Sequence, residues 1–427
     1  MANLSDRVCI IGGGAAGVSA AMYLQKKGYE NFEVYEKLWK VGGSIYSPKI
    51  FMNLKEYAFE TGDITAKLNP EFLRDAEIFI GEKLTFRNEK LHFVDNTDKE
   101  IYPFDIKRAF SFKKFFRIKG LKKELIRLSN ITNDIAADNQ DLFISFSEFC
   151  KKYRLKKISD YLALSCMPFA NGNIADIPAV FVINHINSTF DDISVSLSDE
   201  GLQTVFKKIN SKLLHPVNVN SEVVKIQRPA IGTLGKIKVT VRYKGSERVE
   251  EFDKLIIAGD FDKYLAYADS REDEKEIFSV IKNLKLISFV AYFADDKSPK
   301  GSKCVFDNIE PGNSGHAFLI LNNVDNPDQN YPATIYATAD NELSFDENIS
   351  SISNDIKNLG YKVKERLYEQ EFECFPYIDK DNMTSGFYAG LDKIQGRHNT
   401  FYLGSIMDSV SSDGICTSSQ NIIERFF

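Results

Sequence analysis

Three glycines at G-x-G-x-x-G spacing carry the clearest chemical signal in this sequence. Gly12, Gly14 and Gly17 follow the apolar run Val8–Ile11 and open the helix-forming run that continues to Lys27. At this spacing the first glycine permits a tight strand-to-helix turn, the second lets the backbone approach a pyrophosphate, and the third lets the helix pack on the strand. The helix N-terminus, with Ala15 and Ala16, then faces the phosphate charge. The pattern predicts a dinucleotide site; the alternative is a structural glycine-rich turn.

An acidic residue stands where a ribose would lie. Phe32 to Glu36 reads as the second strand, and Glu36 ends it, 24 residues after Gly12. A carboxylate there accepts hydrogen bonds from both hydroxyls of an adenosine ribose and repels a 2′-phosphate. We therefore assign Glu36 and the adjacent Lys37 to the cofactor site.

A second glycine pair indicates which dinucleotide. Gly42 and Gly43 come six residues after Glu36, Ser44 follows them, and Gly62 closes the later run Phe59-Glu60-Thr61-Gly62. This arrangement resembles the flavin amine oxidase superfamily, in which such a pair lies along the FAD diphosphate. The resemblance implies non-covalently bound FAD.

The resemblance continues to the C-terminus and implies an α/β fold with a Rossmann-like FAD-binding domain, a mixed-sheet substrate domain and a helical cap. We expect residues 1–75, 196–270 and 390–427 to form the FAD domain, 76–195 the cap and 271–389 the substrate domain. The final helix, 414–427, is expected to point its first turn, with Thr417 to Ser419, at the flavin. Further FAD contacts implied by the resemblance are Val223, Ala258, Gly404, Ser405, Ile415 and Cys416. Ser405 and Ser44 replace an acid and an arginine that are common in the superfamily.

Several runs resemble one family more narrowly, the bacterial polyenoic fatty acid isomerases. They include Pro168–Gly172, Ile394–Gly404 and the closing Arg425-Phe426-Phe427. The resemblance implies that a double bond of an unsaturated fatty acid is moved by hydride transfer to and from the flavin. Such chemistry demands few catalytic side chains, so the catalytic residues stay unknown, with Phe375 and Tyr388 as candidates.

Two residues are candidate substrate contacts. Phe169 lies in the Pro168–Gly172 run. Arg87 follows the short strand Leu84–Phe86, which we expect to form a hairpin with Lys90–Phe93, and it is a candidate anchor for a carboxylate. The alternative for Arg87 is a solvated arginine at a turn.

Other functions stay open at this stage. An amine or amino-acid oxidase would use aromatic walls, for which Phe375, Tyr377, Phe387 and Tyr388 are available. A flavin bound covalently through Cys374 is a further alternative to an ordinary strand cysteine. A flavin-binding protein without catalytic activity is the third hypothesis.

Bulk properties exclude several classes. The 427 residues are 43% hydrophobic and 27% charged, with a net charge of −6, which does not favour nucleic acid as a partner. Six cysteines and five histidines form no C-x-x-C or H-x-x-x-H pattern, so we expect a metal-free cytoplasmic protein. Residues 107–127 carry nine Lys or Arg and one acid among phenylalanines; this segment indicates transient contact with a membrane surface, or else a solvated amphipathic helix.

Overall fold

The computed structural model describes residues 3–64, 68–101, 140–153, 178–180, 194–230, 233–259, 261–294, 298–309, 314–324, 331–407 and 412–427. These residues form one parallel sheet, one mixed sheet and two smaller antiparallel units. The predicted α/β fold class, with a Rossmann-like domain and a mixed-sheet domain, is confirmed.

The parallel sheet contains four strands in the order β16-β10-β1-β2, and their bounds are Thr400–Leu403, Lys254–Ala258, Val8–Ile11 and Phe32–Tyr35. Its strands are almost continuously buried, as expected for a parallel sheet covered on both faces. Helices α1 (Ala15–Lys26) and α10 (Ser412–Phe426) pack against each other beside it.

There are also two smaller antiparallel units. Strands β7 (Ser221–Gln227), β8 (Ile237–Tyr243) and β9 (Ser246–Phe252) form a three-stranded meander. Strands β3 (Lys49–Met52) and β4 (Lys55–Ala58) form a hairpin, which the sequence did not lead us to expect.

The mixed sheet has seven strands in the order β15-β11-β14-β13-β12-β5-β6. Their bounds are Val363–Tyr377, Lys282–Phe293, Ala333–Thr338, Ala317–Leu321, Ser302–Val305, Arg87–Val94 and Ser194–Leu197. Strand β5 and the first two residues of β6 come from the segment 76–195, which we predict to be the cap. The expected hairpin in that segment was wrong: Arg87–Val94 is one strand, because residues 87–90 pair with β6 and residues 91–94 pair with β12.

The remaining helices connect these sheets. In chain order they are α2 (Pro70–Ile80), α3 (Phe146–Lys152), α4 (Gln203–Lys212), α5 (Phe261–Tyr264), α6 (Glu272–Phe278), α7 (Phe345–Asn358), α8 (Lys380–Thr384) and α9 (Phe387–Ile394). Asn69 caps α2 by accepting from the Glu71 N–H, and Ser344 caps α7 in a capping box with Glu347, the chemistry expected where a helix begins.

The last helix begins earlier than its sequence suggests. Because α10 starts at Ser412, Thr417 to Ser419 lie in its second turn, where backbone N–H groups are already bonded within the helix. The expectation that these residues form the first turn was therefore wrong. No helix among the described residues is both long and apolar enough to cross a bilayer.

Candidate functional site

The carboxyl ends of three neighbouring parallel strands meet at one edge. Strands β1, β10 and β16 run in register, and each is followed directly by a glycine: Gly12, Gly259 and Gly404. Ligands of open α/β sheets bind outside the carboxyl ends of the strands. Gly259, whose N–H donates to Leu403 O at 2.8 Å, completes this set and is absent from the predicted contacts.

Close backbone packing explains two of the predicted glycines. Gly12 adopts φ +108°, and a Cβ there would lie 2.5 Å from the carbonyl oxygen of Ala258. A Cβ on Gly17 would lie 1.9 Å from the carbonyl oxygen of Gly12. The strand-to-helix turn therefore forms only without side chains at these positions.

The two glycine loops face each other. Gly42 N–H donates to Gly13 O at 2.9 Å, and a Cβ on Gly43 would lie 3.0 Å from Gly14 Cα. Gly14 also begins α1, which has no side-chain cap, so the first N–H groups of the helix, including those of Ala15 and Ala16, have no side-chain acceptor from the cap residue. A backbone cradle at a helix N-terminus, where the first N–H groups have no acceptor within the helix, suits an anionic diphosphate.

Glu36 lies beside this cradle and is buried. Its carboxylate accepts from Gly13 N–H at 2.7 Å and from Leu38 N–H at 2.7 Å. Each carboxylate oxygen can accept a second hydrogen bond, so a vicinal diol can still be bound. A Cβ on Gly13 would lie 2.9 Å from Glu36 Cβ, so the glycine between Gly12 and Gly14 has its own role, which the motif spacing did not reveal.

Lys40 is a further charged group of the second glycine loop. Its Nζ donates to Gly43 O at 2.7 Å, and burial lowers the pKa of Lys40 to about 8 although Glu36 opposes the change. Lys37 and Ser44, both predicted contacts, are exposed. Lys40 is absent from the predicted contacts, although its position two residues before Gly42 could have indicated it.

The predicted FAD contacts near the C-terminus lie in two different places. Gly404 is buried at the strand edge, and Ser405 begins the short 3-10 turn Ser405–Met407. Cys416 is fully buried and accepts a hydrogen bond from Ser19 Oγ at 3.3 Å, so its side chain faces α1, whereas Ile415 is half-buried. Of the remaining contacts, Val223 lies in β7 and Ala258 ends β10.

A buried hydrogen-bond network, which we call the junction, links the second glycine loop to the mixed sheet. Its members are Val41, Ser47, Glu60, Thr61, Gln203, Ser288, Asn323, Tyr336 and Gln370. Glu60 accepts from Ser47 Oγ at 2.6 Å and from Leu202 N–H at 2.7 Å. Gln203 donates to Val41 O at 2.7 Å, on the side of the glycine loop.

On the other side the junction reaches the mixed sheet. Tyr336 donates to Glu60 O at 2.8 Å, Asn323 accepts from Glu60 N–H at 2.9 Å, and Ser288 and Gln370 both donate to Thr61 O. Gly62, a predicted contact, follows directly and packs so closely on Ser44 O that a Cβ would lie 1.9 Å away.

The junction acid Glu60 and the nearby Asp63 both have raised pKa values. Burial raises the pKa of Glu60 to about 7, against the hydrogen bonds that it accepts from Ser47 and Leu202. Desolvation likewise raises the pKa of Asp63 to about 7. Asp63 is nevertheless partly accessible. Cys374 and Tyr336 lie close enough for the Asp63 charge to add to the burial that raises their pKa values.

Arg87 lies next to the junction in strand β5. Its guanidinium donates to Glu89 Oε2 at 2.8 Å and to Asn323 O at 2.7 Å, while its buried Nε has no partner among the described residues. Arg87 is therefore held in the mixed sheet, not at the turn of a hairpin, and one of its donors is unsatisfied.

The other candidates are placed less directly. Tyr388 in α9 donates to Ile406 O at 3.2 Å, in the turn after Gly404. Phe375 is part of strand β15, and its side chain lies outside the described part. Phe169 and the basic segment 107–127 also lie outside the described residues. Within the described ranges, no cluster of three or more His, Cys, Asp or Glu side chains is arranged to hold a metal ion.

Fold and site together define a Rossmann-type dinucleotide-binding protein with a second, mixed-sheet domain. A family described as the NAD(P)-binding Rossmann-like domain matches residues 10–74, the stretch that holds both glycine loops. The whole chain has the fold of a CLA-producing fatty acid isomerase from P. acnes, with a TM-score of 0.87, 24% identity and 100% of both chains covered. Putrescine oxidase bound to putrescine has the same fold, with a TM-score of 0.69, 15% identity and 98% of both chains covered.

Two similar sequences extend this comparison. An uncharacterised protein of Acanthamoeba polyphaga mimivirus is 22% identical over 472 residues, covering 97% of this chain and 92% of that protein. A polyenoic fatty acid isomerase of Ptilota filicina is 47% identical over 45 residues, 10% of this chain and 9% of that protein.

Proposed function

We propose that this protein binds FAD non-covalently and uses it to move a double bond in an unsaturated fatty-acid-like substrate. The observation that carries the cofactor is the paired glycine cradle, in which a Cβ on Gly43 would lie only 3.0 Å from Gly14 Cα. The similarity in fold to a fatty acid isomerase, with 24% identity along the whole chain, supports the substrate class.

The residues present fit the diphosphate half of FAD. An uncapped helix N-terminus, two facing glycine loops and a lysine at Gly43 provide donors and positive charge. Glu36 retains acceptor capacity for the ribose. The strand-end glycines Gly259 and Gly404 leave the backbone open where the rest of the cofactor would pass.

When bound, FAD supplies the hydride chemistry, because its ring can accept a hydride and return it. The side chains of this protein are then required to bind, orient and exclude water. The junction joins the glycine loop to the mixed sheet by buried hydrogen bonds, so it fixes the distance between the cofactor side and the substrate side. We assign Tyr388 a positioning role, since its hydroxyl holds the Ile406 carbonyl.

Arg87 is the proposed anchor for the substrate carboxylate. Its unpartnered Nε is a buried donor, which is uncommon in folded proteins, and a carboxylate that pairs with guanidinium donors would satisfy it. Rotation of the guanidinium away from Glu89 is required for this contact. Phe169 remains a proposed apolar contact.

A visible spectrum followed by anaerobic addition of a polyunsaturated fatty acid tests the proposal. We expect a bound flavin spectrum, no lasting bleaching and a new conjugated-diene absorbance. Lasting bleaching would identify a dehydrogenase or oxidase instead, and a protein that takes up no FAD would refute both.

Matched glycine variants test the cradle itself. Gly43→Ala places a Cβ 3.0 Å from Gly14 Cα at φ +61°, whereas Gly245→Ala has a comparable φ of +80° with nothing within 4 Å. Because both changes carry the backbone penalty but only one blocks the cradle, we expect weaker FAD binding in Gly43→Ala alone, measured by fluorescence titration of the apoprotein. Equal affinities would contradict the assignment.

Amine oxidation is the second candidate, and Asp63 is the observation that favours it. A carboxyl group with no ion-pair partner among the described residues is suited to an ammonium ion, which would ionise it on binding. Asp63→Asn should then abolish oxidation of a diamine, such as putrescine, measured as peroxide release. Under the fatty-acid proposal the same variant retains double-bond isomerisation, because no substrate cation needs the charge.

A further inference from the structure

An ion pair lies on the less accessible face of strand β5, where charged residues are uncommon. Arg87 and Glu89 are half-buried, whereas Asn88 and Lys90, which alternate with them, are exposed. Alternate residues of a strand point to the same side, so both members of the pair project from one face. Arg87 Nη1 donates to Glu89 Oε2 at 2.8 Å.

The same face of the sheet is apolar beside the pair. Leu197 of β6 is paired with Arg87, and Val195 is paired with Glu89. Both are buried in one apolar cluster with Leu91, the next residue of β5 on this face. Directly paired residues of an antiparallel pair share a face. The charged pair therefore adjoins an apolar surface, which is the arrangement that suits a ligand with a carboxylate and an apolar chain.

The donors of the guanidinium are in three different states. Nη1 pairs with Glu89, Nη2 donates to Asn323 O at 2.7 Å, and the buried Nε has no partner among the described residues. A second carboxylate that binds Arg87 therefore finds one donor available and another already bonded to a carboxylate of the protein. Glu89 holds a position that a substrate carboxylate would otherwise take.

Glu89 is also held independently of Arg87. The fully buried Ser302, at the start of β12, donates from Oγ to Glu89 Oε1 at 2.7 Å and accepts from the Asn322 N–H at 2.8 Å. Because the backbone fixes the Ser302 hydroxyl, Glu89 keeps one hydrogen bond when the guanidinium turns away. Its carboxylate thus stays beside Arg87 and is in place to form the pair again.

We propose that Glu89 is an internal competitor for the substrate carboxylate and determines which carboxylates can bind at Arg87. The proposal rests on the proposed function, in which Arg87 anchors the head group of a fatty-acid-like substrate. Every carboxylate must displace Glu89 from Nη1, so its apparent affinity falls by the fraction of protein in which the pair is open. Only a ligand that also buries an apolar chain offsets this loss. Glu89 therefore disfavours short carboxylates.

Titration calorimetry with decanoate and 1-decanol tests the proposal on the full-length, FAD-loaded protein. Both ligands have a saturated chain with no double bond to move, so the measurement reports binding alone. Glu89→Gln keeps the size of the side chain and an acceptor for Ser302 but removes the charge. We expect it to bind decanoate about fivefold more tightly than the parent, the scale of one ion pair. Its affinity for decanol should be unchanged, because an alcohol does not compete with a carboxylate for Arg87.

A matched control separates local competition from the overall charge. Glu371 pairs with Lys285 at 3.2 Å between β15 and β11 of the same sheet. Glu371→Gln removes the same single negative charge as Glu89→Gln, and we expect it to bind decanoate as the parent does. Urea denaturation of the parent and both variants verifies that each protein is folded.

Several results would overturn the proposal. Unchanged or weaker decanoate binding by Glu89→Gln would show that Glu89 only stabilises β5, and so would equal gains for decanoate and decanol. A gain shared by Glu371→Gln would assign the effect to net charge.

Failure of this proposal can be told apart from failure of the proposed function. A parent protein that forms a conjugated diene, with no gain in decanoate affinity in Glu89→Gln, would leave the proposed function intact and refute the competitor. A parent that neither binds decanoate nor forms a diene from a polyunsaturated fatty acid would refute the proposed function, and the competitor with it.

Discussion

Two buried polar clusters of this protein hold their carboxyl groups in opposite ways. In the first, Arg228 forms a bidentate pair with Glu274 and a further pair with Asp269 at 2.8 Å, and its side chain is fully buried. In the second, the junction, Glu60 is also buried, but it is held by a hydroxyl and an N–H group with no cation in contact among the described residues.

The pKa values follow this difference. Burial by itself would raise the pKa of Glu274, but Arg228 and the Tyr402 hydroxyl outweigh it and hold the pKa below its ordinary value. For Glu60 burial dominates, and its pKa rises to about 7. The Arg228 cluster therefore fixes charged groups in one structure, whereas the junction holds a single acid whose pKa lies near neutrality, and acids with perturbed pKa values are commonly functional.

Removing the guanidinium should have the largest effect. Arg228→Met leaves Glu274 buried without its counterion, and we expect a loss of about 4 kcal/mol in the free energy of unfolding, measured by urea denaturation. Arg366→Met provides the control, because Arg366 pairs with Glu369 at a part-exposed site and should cost less than about 1 kcal/mol. Equal losses of unfolding free energy in the two variants would show that burial does not make the Arg228–Glu274 pair more important than a part-exposed pair.

The junction should instead appear in the pH dependence of stability. Glu60 binds its proton more tightly in the folded protein, with a pKa of about 7 against 4.5 when unfolded. Folding is therefore favoured by Glu60 at low pH, and this contribution, about 3 kcal/mol, is lost as the pH rises from 4.5 to about 7. Glu60→Gln should flatten the slope in this window, measured by urea denaturation at each pH. An unchanged slope would show that Glu60 is ionised in the native protein.

Deleting one hydroxyl from the Arg228 cluster should have a smaller effect. Tyr402 donates to Glu274, and Tyr402→Phe removes this bond while Arg228 continues to neutralise the carboxylate. We expect a loss of about 1–2 kcal/mol in thermal or urea unfolding. Tyr243→Phe, at an exposed tyrosine, should be neutral, and a loss as large as that of Arg228→Met would show that the ion pair is not dominant.

An exposed ion pair should have the smallest effect. Arg242 contacts Glu247 at 2.8 Å and Glu222 at 3.2 Å on the outer meander, where solvent screens the charges. Arg242→Gln should change the free energy of unfolding by less than about 0.5 kcal/mol, and added salt should remove that difference. A larger change in the free energy of unfolding would mean that an exposed ion pair contributes as much to stability as a buried one.

The amino-acid sequence by itself determined the dinucleotide half of the protein. The run Val8–Gly17 predicted the strand, the turn and the helix, because each depends on local backbone geometry. The role of the Gly42-Gly43 loop was implied by the resemblance to the flavin amine oxidase superfamily.

Tertiary structure decided what depends on distant partners. Arg87–Val94 forms one strand because β6 and β12, far along the chain, supply its hydrogen bonds. Arg87 therefore lies in the sheet and not at the turn that we predicted. The pKa values of Glu60 and Glu274 are equally unreadable in sequence, since both are glutamates in mixed surroundings. Only the fold brings Arg228 to Glu274 and leaves Glu60 among neutral donors. Desolvation raises the pKa of both, and the ion pair lowers that of Glu274 alone.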